Sequence, residues 1–373
     1  MNVAESLAYH KARPDVSLNS YVRSKRITLA RSLEATKKVY LDTKYWLLLR
    51  DAQLGRSRDP NVEALLVLLR RLVAERRVVC PISCSIFTEI FAQTDPTTLQ
   101  ASVDLIDELS TGVAIIQDQE RFKLEFFHFL VQKTRGDQAV LPLDSLAWTR
   151  TAYVLGFVTP VPTHFPPDAT LLMQKSFADY LWTVTLSDMF RQMGAAVRKF
   201  PAAFIDSAPS LNDGKFAHLD DHPSFNEVFL SEIAGILDVF KQDLTELVRH
   251  DYELRTGMKP DTSSGDDNSG QMLANLMFHA FRLNKITTEL PSLRVSASLH
   301  AAVRWDKQRK YKRNDLHDFH HATAAVAYCD YFLTEHSLRQ LLDHKQLQLS
   351  RYFRCQVFSG TEHSFTALSR LAA

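Results

Sequence analysis

The sequence predicts an α/β protein, a parallel sheet flanked by helices and interrupted by a long all-helical insertion. Three observations lead there. Short β-branched and aromatic runs alternate with amphipathic runs from residue 38 to 117. Helical apolar spacing rich in phenylalanine fills 119 to 305, and after 305 the alternation returns. Strands that alternate with helices lie parallel and are joined by crossover helices.

The elements follow in order. Residues 1–37 are polar and basic, with weak helical period. "KVYLD" reads as a strand from 38 to 42, and helices follow at 45–50 and 61–77. The second helix gathers Leu65, Leu68, Leu69 and Leu72 on one face and ends in arginines. "VVCPIS" (78–83) is a second strand, "SIFTEIFAQ" (85–93) and "SVDLIDELS" (102–110) are helices, and "VAIIQ" (113–117) is a third strand. The helical stretch 119–305 is broken by a proline-rich loop at 158–168 and a polar, mobile segment at 259–271. "DLHDFHHATAAVAYC" is then a helix, "YFLT" a strand, "HSLRQLLDHK" a helix and "RCQVFS" a final strand. The expected organisation is an N-terminal segment (1–37), a core in two parts (38–118 and 306–373) and the insertion (119–305) between them.

Composition narrows the class. The 373 residues are 45% hydrophobic and 23% charged, enough apolar material for a core. A net charge of +1 gives no global field, so any basic footprint is local. The four cysteines are widely spread and form no Cys-x-x-Cys pair, which predicts free thiols in a reducing compartment. No window is long and apolar enough for a membrane span and no signal peptide is visible, so the expectation is a cytoplasmic protein with no membrane partner. The chain has 11 glycines, and none falls in a GxxxxGK or GxGxxG arrangement.

The candidate chemistry is acidic. The first strand stops at Asp42, at the carboxyl end, where open parallel sheets bind ligands. Asp42 read alone is equally a helix cap. Glu89 sits about one turn into the helix after the second strand. Asp318 and Asp315 share one face of the late helix, where each alone is also a favourable charge at a helix start. Glu335 follows the "YFLT" strand. Such carboxylates, brought to one rim, repel unless a cation compensates them. Oxygen ligands without cysteine suit Mg or Mn. Asp318, Ala322, Ala325 and Cys329 form one stripe, and its small residues let the helix press Asp318 against the strand tips.

These residues resemble the PIN-like nucleases. "VYLD" matches the family's first strand ending in Asp, "ISCSIFTEI" its strand, Ser and Glu-bearing helix, and "NDLHDFHHATAAVAYCDYFLTEH" its helix-borne Asp, small residues and strand ending in Thr. The resemblance covers about 38–117 and 311–360 and omits the helical middle. It implies a metal-dependent endoribonuclease that cuts single-stranded RNA, or DNA, with Asp42, Glu89 and Asp318 as Mg or Mn ligands. Glu335 takes the fourth acidic position if the family register falls there. If it falls on His336 instead, Glu335 or Asp330 must substitute, and a PIN-like scaffold without activity becomes the alternative; Glu335, Asp315 or Asp330 would bind a second ion or position water. The insertion is then a gate, a regulatory interface or a surface for a second copy.

Two further features offer competing chemistry. His317, His320 and His321 beside Asp318 suggest an HD-type metal phosphohydrolase, built wholly from helices. "DKQRKYKR" carries Arg309, Lys310, Lys312 and Arg313, which suit a phosphate backbone, with Tyr311 as a base-stacking platform; the bland alternative is a solvated basic loop. Lys44 is a further candidate contact.

Overall fold

The computed structural model describes residues 2–193, 206–260 and 267–372. Two helices, α1 (Val3–Lys11) and α2 (Leu18–Ser32), precede the sheet. The chain then enters β1 (Lys37–Leu41), whose Val39, Tyr40 and Leu41 are fully buried. A strand buried on both faces reads as a continuous apolar run rather than an alternation. α3 (Thr43–Gln53) and α4 (Pro60–Ala74) follow. The sequence places the end of α4 at 77, but Arg76 turns with φ 57° and carries the chain into β2 (Val78–Val79).

β2 is shorter than the six residues expected, because Cys80 N already donates to Leu109 O and Ile82 bridges to Ala114. α5 (Cys84–Phe91) and α6 (Pro96–Ser110) lead to β3 (Val113–Ile115). After the middle of the chain, α15 (Asp315–Tyr328), β5 (Tyr331–Leu333), α16 (His336–Leu342), α17 (Leu349–Tyr352), β6 (Gln356–Phe358) and α18 (Thr361–Ser369) complete the layer; α17 and α18 were not foreseen.

The four-stranded sheet runs β2-β1-β5-β6, and every pairing in it is parallel. From β1 the early chain builds outward to β2, and the late chain builds outward the other way through β5 and β6. The direction therefore reverses between β1 and β5, and helices diverge from their carboxyl ends to leave a crevice.

The middle is α7 (Asp118–Arg135), α8 (Pro167–Leu181), α9 (Leu186–Met193), α10 (Ala208–Ala217), α11 (Phe225–Val239), α12 (Lys241–Thr256), α13 (Ser269–Arg282) and α14 (Pro291–Trp305). It is not all-helical as expected. β4 (Trp148–Arg150) pairs antiparallel with β3. Three residues are too few to show a period of two, which is why helical spacing masked it. The part of the expected helix that spans 194–200 lies outside the described residues, as does 261–266 of the segment expected to be mobile.

Two hydrophobic cores result. One surrounds the sheet, and the other joins α7 with α11 to α14 through Phe122, Phe126, Ile233, Leu237, Met277 and Phe281. α14 belongs to both: Val295, Leu299 and Val303 face the sheet-side core, while Leu293 and Ala297 face the second. A helix walled on opposite sides must be apolar nearly all round.

At the end of the polar segment, Ser269–Gln271 are already helix, and Gly270 is a close-packing position. A Cβ there would stand 2.2 Å from Thr245 Oγ1 and 2.5 Å from Lys241 O of α12. Gly270→Ala should therefore destabilise by about 1–3 kcal/mol through overpacking, outweighing the roughly 1 kcal/mol that alanine gains in a helix. A urea midpoint equal to or above wild type would contradict this close approach.

Candidate active site

Asp42 lies where β1 gives way to α3, and it is both a cap and a site residue. Its N–H donates to Leu333 O of β5 at 3.0 Å, which fixes the backbone at the crevice. Its Oδ1 accepts from Tyr45 N at 3.1 Å and caps α3. The residue is 5% exposed. Burial pushes its carboxyl up to about 6, against the opposing pull of Thr334, His321 and the Tyr45 N–H, while Glu335 adds to the rise. The buried Thr334 hydroxyl stands close by without reaching hydrogen-bonding geometry.

Asp318 comes from the first turn of α15. Ala322, Ala324 and Ala325 are wholly buried behind it, so this helix lies close against the sheet. Burial, and then the charges of Asp42, Glu335 and Asp315, push the Asp318 carboxyl up to about 7 despite His321 nearby. Asp42 and Asp318 thus meet from opposite ends of the sequence with too little positive charge between them. Glu335 is exposed just before α16, with Lys44 Nζ 3.8 Å from its carboxylate.

The other expected carboxylates are engaged. Asp315 lines the cleft but accepts from Lys312 N at 3.0 Å and from Arg309 Nη2 at 3.2 Å, tying down the basic loop. Asp330 is at the opposite rim. It accepts from Lys38 N at 2.9 Å and Lys37 Nζ at 2.7 Å, at the amino end of β5. Four residues of strand, about 13 Å, separate it from Thr334, so it cannot substitute for Glu335.

Glu89 reaches the same cleft from α5, yet both its oxygens are held. His321 Nε2 lies 3.0 Å from Oε2, Thr43 Oγ1 donates to Oε2, and His317 Nδ1 is 3.2 Å from Oε1. Burial alone would raise its pKa, but the two histidines and Thr43 overturn that and hold the carboxyl well below its ordinary range. His321 shifts the other way. Burial lowers its pKa, the Glu89 hydrogen bond and charge raise it more, and Asp42 and Asp318 add to the rise. On the far side of the ring, Nδ1 meets the Tyr40 hydroxyl at 2.8 Å, which meets Ser83 Oγ at 2.6 Å. A chain of contacts from Ser83 to Thr43 therefore crosses beneath the carboxylate pair.

The three histidines are divided. His317 and His321 turn to Glu89, and His320 turns to Asp118 of α7 at 2.5 Å. They do not face a common point beside Asp318, as an HD-type site requires. The Glu89–His321 clasp escaped sequence reading, although the i, i+4 spacing of His317 and His321 on the helix of Asp318 was its signal.

Asp42, Thr43, Lys44, Glu89, Asp315, His317, Asp318, His321 and Glu335 line one cleft of about 1360 Å³. Lys44, Arg309, Lys310, Lys312 and Arg313 form its basic side, with Gln308, Asn314, Gln340 and His344 as further polar groups that the sequence did not single out. Tyr311 is a correction: it is 4% exposed, and its ring packs on His300 and Phe319, so it offers no face to a base.

Among the described residues, no three His, Cys, Asp or Glu side chains close on one point as a ready ion cage. Mg²⁺ does not require such a cage, since it keeps several waters and takes one or two carboxylates plus substrate phosphates. Asp42 and Asp318, undercompensated and with Glu335 at the rim, suit that smaller donor set. Among the described residues, no helix is long and apolar enough to cross a membrane. Comparison with known protein families, curated proteins and solved structures found no match, and the chemistry is therefore read from this cleft.

Proposed function

We propose that this chain is a PIN-like, Mg²⁺- or Mn²⁺-dependent phosphodiesterase acting on RNA. One observation carries the reading. Asp42 and Asp318 come together at the reversal point of a parallel sheet, unneutralised, inside a cleft whose other side is basic. Carboxylates crowded against each other are what a divalent ion relieves, and facing cations are what a phosphate chain needs.

Asp42 and Asp318 would hold the ion, and Glu335 at the rim would orient water. A bound ion lowers the pKa of its water and polarises a phosphoryl oxygen. The Tyr45 N–H keeps the Asp42 carboxylate aimed. His321, one turn after Asp318, anchors that helix to Glu89. Lys44, Arg309, Lys310, Lys312 and Arg313 would hold phosphates, and their reach across the cleft favours a strand over a mononucleotide.

The direct assay incubates the protein with single-stranded RNA and DNA in millimolar Mn²⁺ or in chelator. The expected result is RNA cleavage with Mn²⁺ and none with chelator. Cleavage that persists in chelator would end the metal reading. RNA binding without cleavage in either buffer would leave a scaffold, a role that the engaged Glu89 favours.

A further inference from the structure

The basic side of the cleft is a loop between α14 and α15, and its cations repel one another. Lys307, Arg309, Lys310, Lys312 and Arg313 crowd into seven residues, which would splay a free loop outward. Two side chains of α10 hold it. Lys215 is 3% exposed, and its ammonium donates to Val303 O at 2.7 Å, to Asp306 O at 2.5 Å and to Arg309 O. Asn212, one turn earlier, accepts from Tyr311 N at 2.8 Å and donates to Tyr311 O at 2.9 Å. These contacts go to backbone, so they set the loop's path, while Arg309 is held besides by Asp315 and Lys307 by Asp220. Arg309, Lys310, Lys312 and Arg313 then line the cleft over the carboxylates.

We propose that Asn212 and Lys215 are positioning residues for an RNA phosphate backbone: they lock the loop of residues 306–314 so that its cations stand at fixed places in the cleft of Asp42 and Asp318. The proposal rests on the phosphodiesterase reading. It gives a helix of the middle region a definite task, because a preformed cationic rim loses less freedom when a strand binds.

The test compares wild type, Asn212→Ala and Lys215→Met in two assays. Limited trypsin digestion reads the loop, whose own lysines and arginines are the cut sites. Fluorescence anisotropy with a labelled 20-nucleotide oligouridylate, in chelator and over a salt series, reads RNA affinity. Mn²⁺ affinity, followed by the electron paramagnetic resonance of free ion, serves as the control. The expected result is new trypsin cuts between Lys307 and Arg313, RNA affinity about tenfold weaker, and a salt slope smaller by about one, with Mn²⁺ affinity unchanged. Should Lys215→Met fail to fold, Asn212→Ala carries the test alone. Variants that bind RNA as wild type does, or a loop as protected as wild type, overturn the proposal and leave the phosphodiesterase reading standing. A wild type that binds no RNA although its loop resists trypsin sinks that reading, and the proposed ligand with it.

Discussion

In chelator at pH 8, Asp318→Asn is expected to be more stable than wild type, and with Mn²⁺ it is expected to be nearly inactive. The stability gain follows from the raised pKa of the carboxyl. Asp318 moves from an ordinary 3.8 to about 7 because burial and neighbouring carboxylates disfavour its charged form. The folded state therefore holds this proton more tightly than the unfolded chain does. Below pH 4 the group is protonated in both states and contributes nothing. As pH rises from about 4 to about 7, the unfolded chain ionises first and stability falls; above 7 the deficit is constant. Three units correspond to about 4 kcal/mol, and partial exposure together with shared repulsion from Asp42 reduces this to about 2 kcal/mol. Asparagine removes the charge, so its advantage should be largest at pH 8 and vanish near pH 4. Losing a carboxylate that would hold the ion removes the charge stabilisation the ion supplies, so kcat should fall by roughly 10²–10³-fold. Urea titrations at several pH values, with RNA cleavage in Mn²⁺, check both halves. A variant that is less stable at pH 8, or that cuts RNA at the wild-type rate, contradicts the undercompensated pair.

His321→Leu should act in the opposite sense and cost about 3–5 kcal/mol, the usual penalty for stranding one partner of a buried ion pair. Glu89 is the stranded partner, left with His317 and Thr43. Both pH limbs can be assigned. The depressed Glu89 contributes above its ordinary pKa near 4.5 and is lost as pH falls through its lower folded value. The raised His321 contributes fully below 6.5 and is lost as pH rises through its higher folded value. The difference between wild type and variant should therefore be greatest between about pH 4.5 and 6.5 and should fade on either side. Adding Glu89→Leu to His321→Leu removes the stranded charge and should recover much of the loss. A double variant as unstable as the single one would show that lost packing, not charge, was the cause.

Much of the frame was legible because its signals are local. The run Val39–Leu41 ending at Asp42, the leucine face of α4 and the alanines of α15 each announce an element within a few residues. What escaped depends on distant contacts. β4 is three residues whose strand partner among the described residues is β3, and the short reach of β2 follows from a backbone hydrogen bond from Cys80 N to Leu109 O at the end of α6. At the site, sequence order brought Asp42, Glu89 and Asp318 to one rim but was silent on neighbours. The histidines that occupy Glu89, the rim on which Asp330 falls, and the burial of Tyr311 behind the basic loop are all products of packing between elements far apart in the chain.

The adjacency of β1 and β5 also sets the order in which the chain can become competent during translation. Asp42 emerges from the ribosome well before α15 and its Asp318. Until α15 follows, a nascent chain carries half of the acidic pair. If the pair cuts RNA, the messenger and ribosome producing it face an incomplete site until the late helix docks beside the first strand.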